Sequence, residues 1–144
     1  MSKSKFNGRA IAYWTTTGLI AAEFLMGGAF GVAQPPVAVE GMHHLGYPVY
    51  FGILLGIWKL LGAVALLVPR TPRLKEWAYA GIFFDLTGAA VSHAASGDGA
   101  GDIAAPLIFV LLLVASWALR PASRTLAPVE LPRAGVTTAR LETA

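Results

Sequence analysis

Apolar residues along this chain fall in four long runs, separated by short polar or proline-containing segments. The runs cover residues 10–32, 48–68, 74–96 and 102–119. Crossing about 30 Å of hydrocarbon takes roughly 20 mostly apolar residues in a helix, so each run predicts one membrane span. Pro48, Pro69 and Pro72 stand at the ends of the second span and in the turn after it, where helices start and stop. Pro106 is expected in the first turn or so of the fourth span. The segments 33–47 and 97–101 read as loops. Short connections place consecutive spans side by side and antiparallel, which predicts an all-α, integral-membrane, up-down four-helix bundle.

Composition agrees with this pattern. Hydrophobic residues make up 56% of the 144 and charged residues 13%, about half the charge of an ordinary soluble domain. That balance excludes a disordered chain, a nucleic-acid-binding module and a water-soluble globule. The absence of cysteine excludes disulfides, thiolate metal sites and thiol redox chemistry on this chain.

The net charge of +3 matters through its placement. Lys3, Lys5 and Arg9 precede the first span. Arg70, Arg73 and Lys75 lie between the second and third, and Arg120, Arg124, Arg133 and Arg140 follow the fourth. Ten of the 11 basic residues therefore fall on one side, with Lys59 as the exception. The positive-inside rule puts both termini in the cytoplasm and the two remaining loops outside, which predicts a multi-pass membrane protein. Residues 1–9 form a basic N-terminus, 10–120 the bundle, and 121–144 a disordered cytoplasmic tail whose arginines meet anionic headgroups. Tyr13, Trp14, Trp77, Tyr79 and Trp117 gather near the cytoplasmic ends, while Trp58 sits near mid-depth. A cleaved secretory signal is the other reading of the first span; its length and Glu23 argue against it.

Three ionisable residues interrupt the spans: Glu23, Lys59 and Asp85. Each costs at least ~2.5–3.5 kcal/mol at mid-membrane if unpaired. Helical rise places Lys59 and Asp85 at the same depth on consecutive antiparallel helices, with Glu23 somewhat nearer the outside. An ion pair, or a triad with Glu23, is the expected outcome. The excess negative charge calls for a proton, water, a histidine, or hydrogen bonds from Thr17 or Thr87. His93 lies about two turns beyond Asp85, while His43, His44, Asp98 and Asp102 lie in the two outer loops. Together they predict a polar funnel from the outer face to the bundle centre, with a dry cytoplasmic half. No metal site is expected, since adjacent loop histidines rarely reach one ion. No haem attachment motif is present. Gly27 and Gly31, and Gly52, Gly56 and Gly62, predict close helix packing inside the bundle, or else a homo-oligomer contact.

At these residues the chain resembles a known family. Met42-His43-His44-Leu45-Gly46-Tyr47-Pro48 is followed by Leu55-Gly56-Ile57-Trp58-Lys59-Leu60-Leu61-Gly62-Ala63. Then come Leu74-Lys75-Glu76-Trp77-Ala78-Tyr79-Ala80-Gly81, Phe84-Asp85-Leu86-Thr87-Gly88-Ala89, Ser92-His93 and Gly97-Asp98. The series resembles the DoxX-like family of small four-span bacterial membrane proteins. The resemblance implies an inner-membrane location and marks Lys59, Asp85 and His93 as family-typical polar positions. It supplies no reaction. The family name traces to relatives associated with a thiosulfate–quinone oxidoreductase, an activity this cysteine-free chain gives no reason to carry over.

Three functions fit these residues. The first is a binding or redox accessory protein that holds a small amphipathic molecule, quinone- or lipid-like, against Glu23, Lys59, Asp85, Trp58, His93, His43 and His44. A membrane redox partner would then be required, because the chain has no redox group of its own. The second is an isomerase or epoxide-opening enzyme, with Glu23 or Asp85 as acid or base and Lys59 as electrostatic stabiliser. The third is a scaffold whose ion pairs only fix helix register.

Overall fold

The computed structural model of the chain describes residues 8–126. It is all-α: α1 spans Gly8–Ala33, α2 Pro36–His44, α3 Val49–Leu67, α4 Pro72–Ala95 and α5 Ala100–Leu119. The four long helices match the four apolar runs to within two residues at each end. α2 is a departure, since the pattern over residues 33–47 predicts a loop. Pro35 and Pro36 cannot extend α1 but are well suited to starting a new helix, where a missing N–H costs nothing. Pro106 is a second departure. With α5 beginning at Ala100 it lies inside the helix, beyond its first turn.

Around the bundle, α1 lies against α3 and α5, and α4 lies against α5 and, more sparsely, α3. Ile20, Phe24, Ala63, Leu66, Ile82, Leu86 and Leu113 form the core. The outside is apolar as well. Only 28% of the most apolar window is buried in α1 and in α3, and 11% in α5. Apolar surface on that scale needs lipid around it rather than water. The protein is therefore a multi-pass membrane protein. α1, α3 and α5 are long and apolar enough to cross on composition alone. α4 has the length, but Arg73, Lys75, Glu76 and Asp85 dilute its apolar character, so a fourth span does not follow from composition as the sequence reading expected.

The α1–α3 packing rests on glycine. A Cβ on Gly56 would lie 2.8 Å from the Gly28 carbonyl and 2.8 Å from the Val32 nitrogen; one on Gly28 would lie 2.8 Å from the Gly56 carbonyl. Backbone thus meets backbone, and the two glycine series are used inside one chain. Close approach of this kind replaces the hydrophobic drive that lipid removes.

The C-terminal end of α3 is closed by a residue that the charge pattern counts with the basic residues between the second and third spans. Lys75 is fully buried. Its Nζ donates to the carbonyls of Ala65, Leu66 and Val68 at 3.0, 2.6 and 2.5 Å. Helix-terminal carbonyls have no intrahelical partner, and the ammonium also opposes the negative end of the helix dipole. Arg124 adds a bond to the Leu66 carbonyl at 3.1 Å and one to the Tyr13 hydroxyl at 3.3 Å, with its guanidinium over Trp14. The 3-10 turn Ala122–Arg124 therefore folds back onto the bundle, whereas the sequence predicts that the tail begins at 121. The remainder of that tail, with Arg133 and Arg140, and Lys3 and Lys5 at the other terminus, lie outside the described residues.

Three substitutions test these packing claims. Gly56→Ala is expected to lower stability in detergent by about 1–3 kcal/mol, since all three clashing atoms are backbone. Gly18→Ala, which meets nothing within 4 Å, leaves stability unchanged or raises it slightly. Lys75→Met removes a buried donor from three carbonyls, of which Leu66 keeps its bond from Arg124, and costs about 2–5 kcal/mol. Thermal unfolding followed by size-exclusion fluorescence reads all three.

Candidate functional site

Three helices each bring one ionisable residue to the same point. Lys59 on α3 donates from Nζ to Glu23 Oε1 on α1 at 3.2 Å. The same nitrogen stands 3.3 Å from Asp85 Oδ2 on α4. That second contact is an ion pair without hydrogen-bond alignment, so Asp85 Oδ2 remains without a donor, as does Glu23 Oε2. A third face of the ammonium lies 4.8 Å from the Phe24 ring centroid. The predicted triad is thus assembled, with a formal charge of −1 from one lysine and two carboxylates. Side-chain exposures of 15–25% show that it borders open space rather than solid core.

Sequence reasoning named hydrogen-bonding partners for that excess charge that the structure places elsewhere. Thr87 Oγ1 donates to the Phe83 carbonyl of its own helix, at 2.7 Å. Thr17 Oγ1 is 2.7 Å from Ser116 Oγ, which in turn is 2.8 Å from the Tyr79 hydroxyl. This buried cluster ties α1, α4 and α5 together in the half of the bundle expected to be dry. A β-hydroxyl inside a helix bonds either its own preceding turn or a neighbouring helix, and spacing alone does not say which.

Two grooves open on the sparse α3–α4 seam, and Lys59 and Asp85 line both. The larger, about 630 Å³, runs from the pair toward the end where α3 finishes and α4 begins, past Trp58, Leu61, Leu74, Trp77 and Ile82. Trp58 lies on its rim, half exposed. The smaller, about 350 Å³, runs the other way beneath α2, past Gly31, Gln34, Met42, Tyr47 and Ser92. The sequence reading expected access from the outer face alone. The structure shows space on both sides of the pair, and more of it toward the basic end. Sparse contact between α3 and α4 causes this, and a helix-by-helix pattern does not reveal it.

The outer polar residues form a second cluster. Asp98 accepts from His44 Nε2 at 2.5 Å and from His93 Nδ1 at 2.6 Å, one histidine on each oxygen. The same helix ending produces both halves of it. Gly97 adopts φ +76° after α4, so that the Asp98 N–H returns to the His93 carbonyl at 3.0 Å. Gly46 adopts φ +79° after α2, and the Tyr47 N–H returns to the Met42 carbonyl at 2.8 Å. Only glycine takes this left-handed conformation freely. The turn at Gly97 folds Asp98 over His93. The turn at Gly46 brings the Tyr47 hydroxyl to 2.8 Å from Ser92 Oγ. α2 is thereby pinned across the smaller groove. His93 is accordingly bonded to Asp98 rather than offsetting Glu23 and Asp85. His43 is exposed on α2 and makes no side-chain hydrogen bond among the described residues. No group of three or more potential metal ligands is found among the described residues.

At the opposite end, Glu76 accepts from Arg120 Nη1 at 2.6 Å and from Trp117 Nε1 at 3.1 Å, and the Arg120 guanidinium lies over Tyr79. Arg9 reaches the Ala118 carbonyl at 3.2 Å. Arg9, Lys75, Arg120 and Arg124 on that side thus serve helix ends and interhelical pairs.

Residues 15–116 match the family model described as DoxX-like family. No curated protein and no solved structure matches the chain.

The Asp98 latch has a defined pH response. Hydrogen bonds from His93 and His44 hold the Asp98 carboxyl below its ordinary range. A group with a lowered folded-state pKa stabilises above its unfolded value, and that stabilisation disappears as pH falls through the lowered one. Asp98→Asn is therefore expected to melt lower than wild type near neutrality. The gap should close below the ordinary carboxylate range, as read by melting temperature across a pH series.

Proposed function

The chain belongs to the DoxX-like family, and from that membership and the geometry of the α3–α4 seam we propose that it holds one small amphipathic molecule, quinone- or lipid-like, in the bacterial inner membrane. Its polar end meets Lys59 and Asp85, and its apolar part lies along the larger groove against Trp58. All four long helices span, both termini are cytoplasmic, and the His44–Asp98–His93 latch faces the periplasm. The pairing of α4 charges supports this topology: Asp85 meets Lys59, Glu76 meets Arg120, and Lys75 meets backbone carbonyls. Each such partner lowers the penalty for placing α4 in lipid. A redox accessory role fits, with the electrons supplied by a partner subunit.

The observation that carries the reading is the position of the ion pair. It lies between two apolar grooves, short of donors and open on the membrane side, where a purely structural pair would be sealed by packing. The enzymatic alternative requires two carboxylates converging on one chamber. Asp85 lines both grooves, whereas Glu23 lines neither.

Native mass spectrometry and an absorbance scan of protein extracted in mild detergent test the proposal. Wild type is expected to retain one apolar molecule per chain. A Lys59→Met, Asp85→Asn double variant is expected to insert and purify as a single species, yet lose that molecule. Equal retention by both, or a bare wild-type mass under the mildest extraction, overturns the reading.

A further inference from the structure

The chamber around Lys59 is unbalanced in its hydrogen bonding. Its acceptors are abundant. Asp85 accepts no hydrogen bond from a described residue and Glu23 Oε2 has no donor. Gln34 Oε1 is likewise buried without a partner. The contact of Gln34 Nε2 with the Gly31 carbonyl fixes which end of that amide is nitrogen. Gln34 and Asp85 both line the smaller groove. Glu23 stands one layer behind it, 3.3 Å from where a Gly27 Cβ would be.

Donors are scarce by comparison. The Lys59 ammonium has three hydrogens. One goes to Glu23, one side faces Asp85, and the remaining side faces the Phe24 ring. Ser92 Oγ donates to the Gly88 carbonyl at 2.8 Å, so in their mutual bond the Tyr47 hydroxyl donates to Ser92. Backbone N–H groups in the surrounding helix interiors are consumed by the helices themselves. A ligand that only accepts must share the lysine with Glu23 and Asp85, or else take the second N–H of the Gln34 amide or the Trp58 indole N–H on the rim. A ligand that donates, by contrast, completes Asp85 and Gln34, and buried unpaired acceptors are expensive to leave alone.

Resting on the reading above, we infer that this site selects amphiphiles whose polar end donates hydrogen bonds, through O–H or N–H, and discriminates against acceptor-only heads of the same shape, so that among quinone-like ligands it takes the hydroquinone form. Gln34 and Asp85 are the discriminating residues. Glu23 acts indirectly, by engaging the lysine so that an incoming carbonyl or ether oxygen has to compete for it.

Matched probes test this with the full chain in detergent. An equimolar mixture of 4-nonylphenol and its methyl ether, 4-nonylanisole, differs by one O–H donor on the same apolar body. Native mass spectrometry reads which one is retained. The phenol is expected to exceed the ether by about tenfold or more. A second arm pairs dodecylamine with dodecyltrimethylammonium, which keeps the charge and lacks the donor; the amine is expected to win. Equal retention within either pair overturns the inference while leaving an amphiphile site in place. Retention of none of the four probes overturns that site as well. Asp85→Asn converts one acceptor oxygen to a donor, and is expected to reduce the phenol preference below about threefold. A folded Asn variant that keeps the full preference removes Asp85 from the assignment. The wild-type competition decides the main point even if that variant fails to fold.

Discussion

One ammonium shared between two carboxylates organises this molecule. Lys59 contacts Glu23 on α1 and Asp85 on α4 from its own position on α3. In a medium where an unpaired charge is costly, that contact fixes the relative height of three helices. It does not fix how tightly they pack. α1 and α3 are drawn together by bare glycine backbone. α4 is held to α5 and across to α1 by the Thr17–Ser116–Tyr79 hydroxyls and by Arg120. The α3–α4 seam has neither device between its ends, and both grooves open there.

α1, α3 and α5 were legible because the bilayer imposes a length and a polarity that composition reports directly, whereas α4 was legible from the length of its run despite the charges within it. The triad was legible for a related reason. Three charges in apolar runs have few places to go, and helical rise sets their heights. The resemblance built on the histidine, lysine and aspartate series agrees with the family match over residues 15–116.

What stayed hidden depended on direction rather than depth. Lys75 looked like one more flanking cation, yet it turns inward because the end of α3 leaves carbonyls that Pro69 and Pro72 cannot serve. A basic residue soon after a proline-bounded turn, with none in the preceding helix's last turn, was the available signal. Thr17 and Thr87 could be placed by height but not by rotamer. α2 was missed because a nine-residue amphipathic helix gives little periodicity to read. Its position follows from the paired glycine turns at Gly46 and Gly97, which bring His44 and His93 to one aspartate.

The sideways opening of the larger groove has a kinetic consequence. Its rim residues, Trp58, Leu61, Trp77 and Phe84, face the surroundings. A solute reaching them travels within the plane of the bilayer, where apolar compounds are already concentrated by partitioning. Occupancy would then follow the solute's abundance per lipid rather than its aqueous solubility. Modest intrinsic affinity would suffice to keep such a seam filled.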